Sequence, residues 1–277
     1  MVLEQLLSTH WLQKRPLCAV FLGIAYTFIA AITSYIFFKD SFSVSLLFLI
    51  TVLLVPSLLN LLAMEEERER IEGLHHFFYN HKEIFEIYLF LFIGLFIGYL
   101  AVIWAMLTLG MDINVTLSEQ VKMLGETITK GKVESFSVNQ LTHALSIFSV
   151  NVGVAVILFI LSLFYGAGSI FLVVWNASIF STFIYTTISN ISRSINHSIA
   201  LFGIFSIYII PELAGFLLAA IAGGVVSKAV LSEKFLSPTF RNVTRDAFVL
   251  LLISFAFLLA AAFLESYVGV NAIKMLV

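Results

Sequence analysis

The stretch Ile209–Ser227, with the sequence IIPELAGFLLAAIAGGVVS, lies inside an apolar run from about Ser198 to Val230. A run of this length is typical of a membrane-spanning helix. Glu212 interrupts it, and an uncompensated charge near the centre of such a helix costs at least about 2.5–3.5 kcal/mol. The sequence therefore predicts that Glu212 has a partner inside the protein and that this segment is the best candidate for a functional core.

Small residues follow Glu212 at helical spacing, and they form one narrow face of the predicted helix: Gly215, Ala219, Gly223 and Ser227. Such a face lets a second helix approach closely enough for buried polar groups to meet. Pro211 lacks the N–H that an interior helical position uses. We therefore predict a helix broken near Pro211, with a short interfacial helix before it.

The composition places the whole chain in a membrane. Hydrophobic residues make up 60% of it and charged residues 12%, against roughly 45–50% and about 25% in soluble domains. Backbone groups in lipid must be paired within the protein, and long apolar runs without period-two alternation then favour helices over a barrel. The predicted fold is all-α, a polytopic transmembrane helix bundle of about six to seven spans. The candidate spans are Pro16–Phe38, Ser43–Ala63, Ile84–Leu109, Leu145–Phe164, Ser169–Ser189, Ser198–Val230 and Asp246–Val268.

The chain divides into three parts. Residues 1–110 form an N-terminal three-span region, in which the charged residues 64–83 predict a cytoplasmic amphipathic elbow. Residues 111–140 predict an external amphipathic segment, because apolar residues recur there at helical spacing. They are Leu117, Val121, Leu124 and Ile128. Residues 141–277 form a C-terminal helical bundle.

The charges indicate orientation and partners. Basic residues near the span ends favour a cytoplasmic N-terminus and an external C-terminus for a multi-pass protein of the cell membrane. The expected partners are the lipid bilayer, a second copy of the chain, with a dimer favoured, and other membrane or envelope proteins. A net charge of −2 gives no basic field for nucleic acid.

Asn151, Asn176 and Glu212 are the candidate intramembrane polar cluster, since apolar side chains would be cheaper at these positions. The cluster either binds an ion or a substrate, or relays a proton through Glu212, or it fixes helix packing through hydrogen bonds between helices. Further residues are candidates for helix packing: Gly94, Gly98, Gly166, Gly168, Gly215, Ala219, Gly223 and Ser227. For the Gly94/Gly98 face, packing inside one chain is favoured over a dimer seam.

Motifs of enzymes and of cofactor sites are missing from the sequence. It has no glycine-rich phosphate loop, no GxSxG, no HExxH and no pair of carboxylates in the middle of one span. Glu72 and His76 share a helical face but lack a third metal ligand. We therefore expect no enzymatic activity, no cofactor and no metal.

Two blocks resemble the stage II sporulation protein M family. The first begins at Ser149-Val150-Asn151-Val152-Gly153 and passes through Gly166-Ala167-Gly168 to Val174-Trp175-Asn176-Ala177. The second is the glutamate block from Pro211 to Gly224, in which a glutamate precedes a helix rich in alanine and glycine. Together they cover about Ser149 to Val230.

The resemblance implies a membrane scaffold or a transport-like protein and does not imply a reaction. The sporulation members of the family help to assemble a cell-wall-degrading complex during engulfment. The chain departs from the family pattern at Tyr208-Ile209, where relatives often carry His-Gly, and at Ala177, where they usually carry glycine. The leading interpretation is a non-enzymatic scaffold or membrane-organising component; the alternative is a transporter or channel for an ion or small solute with its site around Glu212.

Overall fold

The computed structural model describes residues 15–72, 77–124, 139–165, 168–232 and 237–272. Seven long helices account for most of them: α1 Cys18–Phe37, α2 Phe42–Glu72, α3 Phe77–Thr108, α4 Gln140–Phe164, α5 Gly168–Ile191, α6 Ile195–Ser232 and α7 Pro238–Phe263. A 3-10 turn, Lys39–Ser41, joins α1 to α2, and a π-helix, Leu264–Gly269, continues α7. The described residues contain no strand, so the all-α prediction is confirmed.

Among the residues that the structure describes, seven helices are long and apolar enough to cross a membrane, in agreement with the predicted six to seven spans. The elbow at residues 64–83 is continuous with two of them, because α2 extends to Glu72 and α3 begins at Phe77. Residues 73–76 lie outside the described residues. The charged ends of α2 and α3 therefore extend the two spans beyond their apolar segments.

The break predicted near Pro211 is wrong, because α6 continues through it as one helix of 38 residues. Proline removes one hydrogen bond from the helical ladder, and neighbouring helices in a bundle can stabilise a helix against that loss. At a rise of about 1.5 Å per residue, α6 is about 57 Å long, well above the roughly 30 Å hydrocarbon core of a bilayer. It therefore tilts or extends beyond that core.

Helix α6 lies at the centre of the bundle, where it contacts α2, α3, α4, α5 and α7. Helix α1 lies at the edge and packs mainly on α3 and α2. Close packing of α1 on α3 depends on glycine, since a Cβ at Gly94 would overlap the backbone of Val20, and one at Gly98 would lie 2.8 Å from the Cβ of Thr27. The Gly94/Gly98 face is therefore covered by α1 of the same chain.

The first part of the segment between α3 and α4, up to Leu124, packs on the bundle. Its first turn, Ile113–Thr116, is capped by Asp112, whose carboxylate accepts a hydrogen bond from the Asn114 backbone N–H at 2.9 Å. Residues 118–124 are also helical, with Leu117 and Leu124 buried. Residues 125–138, which include Ile128, lie outside the described residues, and so does Gly166 between α4 and α5.

One buried side chain fixes this segment. Gln120 is fully buried and accepts a hydrogen bond from Ser43 Oγ at 2.6 Å. Its Nε2 donates to Ser178 Oγ at 3.3 Å. The amide therefore joins the segment to the start of α2 and to the middle of α5.

Candidate site at Glu212

The small-residue face of α6 packs against two helices. Gly215 packs against α7, and a Cβ at this position would stand 2.7 Å from Leu258 Cδ2. Its carbonyl accepts a hydrogen bond from Ser254 Oγ at 2.8 Å. Gly223 packs against α4, and a Cβ at this position would overlap the backbone of Phe159. The small residues therefore hold α6 in direct backbone contact with α4 and α7.

This packing brings Glu212 to Asn151. Glu212 precedes Gly215 by about one helical turn, and its carboxyl forms a hydrogen bond with the side chain of Asn151 on α4. Asn151 is buried. Glu212 is surrounded by the neighbouring helices but keeps partial exposure, so its carboxyl is enclosed without being sealed.

A second carboxyl that the sequence predictions did not include lies within electrostatic range of the first. Glu265 belongs to the π-helix at the end of α7 and interacts electrostatically with Glu212. Short π-helical turns insert an extra residue into a helix and recur at functional sites. The signal in the sequence was the isolation of Glu265, since residues 247–264 contain no charged side chain.

Tyr208 completes the group. It precedes Glu212 by four residues on α6 and is only 6% exposed. Its ring lies against the π-helix, where a Cβ at Gly269 would be 2.9 Å from Tyr208 Cε1. The hydroxyl interacts electrostatically with both carboxyls. We call Asn151, Tyr208, Glu212 and Glu265 the oxygen cluster.

The two carboxyls of the oxygen cluster have no basic partner among the described residues. Among the residues that the structure describes, neither Glu212 nor Glu265 forms an ion pair with a basic side chain. The same part of the chain contains no group of three or more His, Cys, Asp or Glu residues that could hold a metal ion. Buried charges in membrane helices are normally paired, so each carboxyl is either protonated or balanced by a positive charge from outside the described residues.

Polar groups continue from the oxygen cluster toward the start of α4. Ser266, next to Glu265, donates a hydrogen bond from Oγ to the Gln140 carbonyl at 2.7 Å. The same Oγ lies 3.3 Å from His143 Nδ1. Because Gln140 begins α4, these groups form a polar connection from the oxygen cluster to one end of that helix.

Asn176 is not joined to the other two residues of the predicted polar cluster. It lies half-buried on α5, and within the described residues no hydrogen bond links it to Asn151 or Glu212. Its neighbour Trp175 stacks on Phe171 with ring centroids 6.2 Å apart. The structure thus brings together two of the three predicted polar residues and adds Glu265 and Tyr208.

A separate groove of about 400 Å³ lies between α1 and α3. Phe28 and Tyr35 of α1 line one wall, and Val102 and Met106 of α3 line the other. The lining offers no carboxyl, imidazole or amine. Because this lining is almost wholly apolar, we place the candidate site at the oxygen cluster.

The comparison with protein families decides the family. A family model described as stage II sporulation protein M matches residues 87–269, well over half of the chain. The chain belongs to this family. No curated protein and no solved structure matches significantly. The resemblance found in Ser149–Val230 is confirmed as membership in the stage II sporulation protein M family, over a wider range.

The family match covers the whole candidate site. It starts near the beginning of the apolar part of α3 and ends with the π-helix. All four residues of the oxygen cluster therefore lie within the part shared with the stage II sporulation protein M family. Helices α1 and α2 lie outside it.

Proposed function

We propose that this member of the stage II sporulation protein M family is a non-enzymatic scaffold that organises other proteins in the membrane. The observation that carries the proposal is the burial of α6 on one side of Glu212. Every residue from Leu213 to Val226 is buried, and all of them are apolar. A channel through the bundle centre needs a polar route to both faces, and this half of α6 offers none.

A second candidate is a transporter or channel for an ion or small solute. Two carboxyls without a basic partner in the described part of the chain favour it, because ionisable residues in spans often mark ion pathways. A transporter can also alternate its access by moving helices, so the close packing of one conformation is compatible with it. The two candidates differ in flux, which is measurable.

Flux separates the two candidates. The full chain is reconstituted in proteoliposomes, and flux of H⁺, Na⁺, K⁺, Mg²⁺ and chloride is followed under imposed gradients. On the scaffold proposal the parent chain gives no flux above that of empty liposomes. Flux that Glu212→Gln abolishes would overturn the scaffold proposal and establish the transporter. A matched variant, Glu119→Gln, controls for loss of an exposed carboxylate, since Glu119 pairs with Lys122 at the surface.

Complex size provides the positive test of a scaffold. We expect the protein, extracted from its native membrane in mild detergent, to migrate in a complex heavier than its own homo-oligomer. The purified chain alone gives the mass of the homo-oligomer for comparison. Migration of the native material at that same mass would contradict the scaffold proposal.

We further propose that the protein lies in the cell membrane with its N-terminus in the cytoplasm. Single cysteines at Asn114 and at Glu65, in a Cys18→Ala background, test this orientation. A membrane-impermeant maleimide applied to intact cells is expected to label the first and spare the second. Labelling only at Glu65 would reverse the orientation.

A further inference from the structure

The groove between α1 and α3 lies beyond the point where these two helices touch. The helices run in parallel, and they are in close contact where a Cβ at Gly94 would overlap Val20 and one at Gly98 would lie against Thr27. The groove of about 400 Å³ follows from Phe28 onward, toward the ends of both helices. Close contact between α1 and α3 therefore gives way to an open space on the same side of the bundle as the turn to α2.

This α1/α3 groove is apolar and faces outward. Ile32, Tyr35 and Ile36 line it from α1 and are 40–59% exposed. Phe42, at the start of α2, and Met111, just after α3, also line it. The stretch of α1 from residue 28 to residue 35 is about 10 Å long at a rise of about 1.5 Å per residue. The α1/α3 groove thus offers an apolar channel along the surface of the span.

A basic side chain lies at the end of this groove. Lys39 belongs to the turn that joins α1 to α2, and its Nζ lies 4.7 Å from the ring centroid of Tyr35, a residue of the groove lining. A cation above an aromatic face is attracted by the ring. The contact therefore holds the ammonium group beside the lining of the α1/α3 groove.

The charge of Lys39 is not neutralised by the carboxylates that are described near it. Lys39 forms no ion pair within the described residues, not even with its exposed neighbour Asp40. Asp112, beyond the end of α3, uses its carboxylate to accept hydrogen bonds from the backbone N–H and the Nδ2 of Asn114, at 2.9 and 3.0 Å. The ammonium group is therefore available to an anion from outside the described part of the chain.

We propose that the α1/α3 groove binds one anionic phospholipid, with an acyl chain along the groove and the phosphate at Lys39. An apolar lining suits an acyl chain, and a basic residue near the membrane surface attracts anionic lipids. Tyrosine is enriched at the level of the headgroups, where one part of its ring is in apolar surroundings and another is in polar ones. Tyr35 fits that description, since its ring lines the groove and carries Lys39 on its face.

The bound lipid also has a structural effect. The groove separates α1, which lies outside the family match, from α3, most of which lies inside it. An acyl chain in this space contacts both helices and fills a gap that neither covers alone. Lipid binding should therefore stabilise α1 on the rest of the bundle.

Lipid retention by the purified full chain tests the site. The protein in mild detergent is given equimolar phosphatidylglycerol and phosphatidylcholine with identical acyl chains, and the lipids that remain bound are counted by native mass spectrometry. We expect one phosphatidylglycerol per chain to be retained in preference to phosphatidylcholine, and to raise the melting temperature more. Equal retention of the two lipids would overturn the proposal. Glycerol phosphate carries the charge without acyl chains, and an equal rise of the melting temperature with it would show a phosphate site instead.

Variants at the charged end assign the preference to Lys39. Lys39→Gln should lower the affinity for phosphatidylglycerol about 5-fold, the factor that one basic residue near a membrane surface contributes. Its affinity for phosphatidylcholine should not change. Lys122→Gln is the matched control, because Lys122 already pairs with Glu119 at 3.0 Å, and it should bind both lipids as the parent does. An unchanged preference in Lys39→Gln would refute the site.

A variant inside the groove tests the place of the acyl chain. Ala105→Leu puts a larger side chain into the lining and should lower the retention of phosphatidylglycerol. Ala256→Leu, on an exposed face of α7, should not. If Ala105→Leu instead lowers the mass of the homo-oligomer and leaves lipid retention unchanged, a second copy of the chain covers the groove and the proposal is wrong. If Ala105→Leu does not fold, Lys39→Gln in its exposed turn decides. None of these outcomes depends on flux or on a partner complex, so this proposal and the scaffold function fail separately.

Discussion

The two halves of α6 have different surroundings although both are apolar. After Glu212, every residue from Leu213 to Val226 is buried. Before it, the buried residues Leu201, Phe205 and Tyr208 recur at spacings of four and three, which places them on one face. Phe202 and Ile207 between them are exposed. The first half is therefore a one-sided helix, and the second half is surrounded.

The difference follows from side-chain size. Small residues in the second half let α4 and α7 approach the α6 backbone at Gly223 and Gly215. The first half has bulkier side chains, and its one glycine, Gly203, has open space around it. Glu212 lies where the two halves meet, so it can receive a partner such as Asn151 from the packed side.

The largest loss of stability is expected from a bulky side chain in the second, surrounded half of α6. Gly223→Leu places a side chain where a Cβ alone already overlaps the Phe159 backbone, and overpacking of a core costs typically about 1–3 kcal/mol or more. We expect a marked fall in the melting temperature of the purified protein, measured by light scattering or intrinsic fluorescence. Gly203→Leu, made in the open half of the same helix, is the matched control and should melt close to the parent. Equal melting of the two variants would mean that the halves do not differ in packing.

A smaller effect is expected at the edge of the bundle. Gly94→Leu would push α1 away from α3 at Val20, but α1 packs mainly on α3 and α2. We expect α1 to loosen while the rest of the bundle remains folded. The readout is the rate at which Cys18, half-buried in α1, reacts with a maleimide. A Cys18 rate equal to that of the parent would contradict the packing of α1 on Gly94.

A still smaller loss of stability is expected at Glu212, where the two halves of α6 meet. Asn151→Ala removes the hydrogen bond to Glu212, and such contacts between membrane helices contribute about 0.6–1.7 kcal/mol. A double-mutant cycle with Glu212→Ala should show coupling of that size in the free energy of unfolding. The same cycle with Asn176→Ala should show none, since no described hydrogen bond joins Asn176 to Glu212. Equal coupling in both cycles would place Asn176 in the oxygen cluster.

The smallest expected change is a gain. Gly203→Ala adds a Cβ in open space and reduces the entropy that the chain loses on folding, which is worth about 0.5–1 kcal/mol in a helix. The melting temperature should rise slightly. Gly215→Ala, which meets Leu258 at 2.7 Å, should lower it instead. A fall in both variants would show that the first half of α6 is more tightly surrounded than its exposure indicates.

The sequence predicted the seven apolar helices because the bilayer fixes both the length and the polarity of a span. It failed at Pro211, where a local rule about one missing hydrogen bond competed with packing along the whole of α6. It also passed over Glu265. The isolation of that residue is visible in the sequence, but the π-helix that carries it and its approach to Glu212 depend on how α7 packs on α6.

The sequence predicted a partner for Glu212, and in the structure Asn151 forms a hydrogen bond with it. Two polar residues in neighbouring spans tend to face each other. Asn176 has the same chemistry but a different position on its helix, and position around a helix follows from packing. Gln120 was missed for a related reason. In the sequence, Gln120 looks like an ordinary surface residue of a polar segment. Only the fold brings Ser43 and Ser178 to its side-chain amide.

The two hydrogen bonds of the buried Gln120 side chain set an order of assembly. Ribosomes make the chain from its N-terminus, so Ser43 and Gln120 are synthesised before Ser178. Until α5 has been inserted, the amide of Gln120 can bond to Ser43 but not to Ser178, and its Nε2 must stay in contact with water. The described part of the segment between α3 and α4 therefore completes its contacts only after α5 has been inserted.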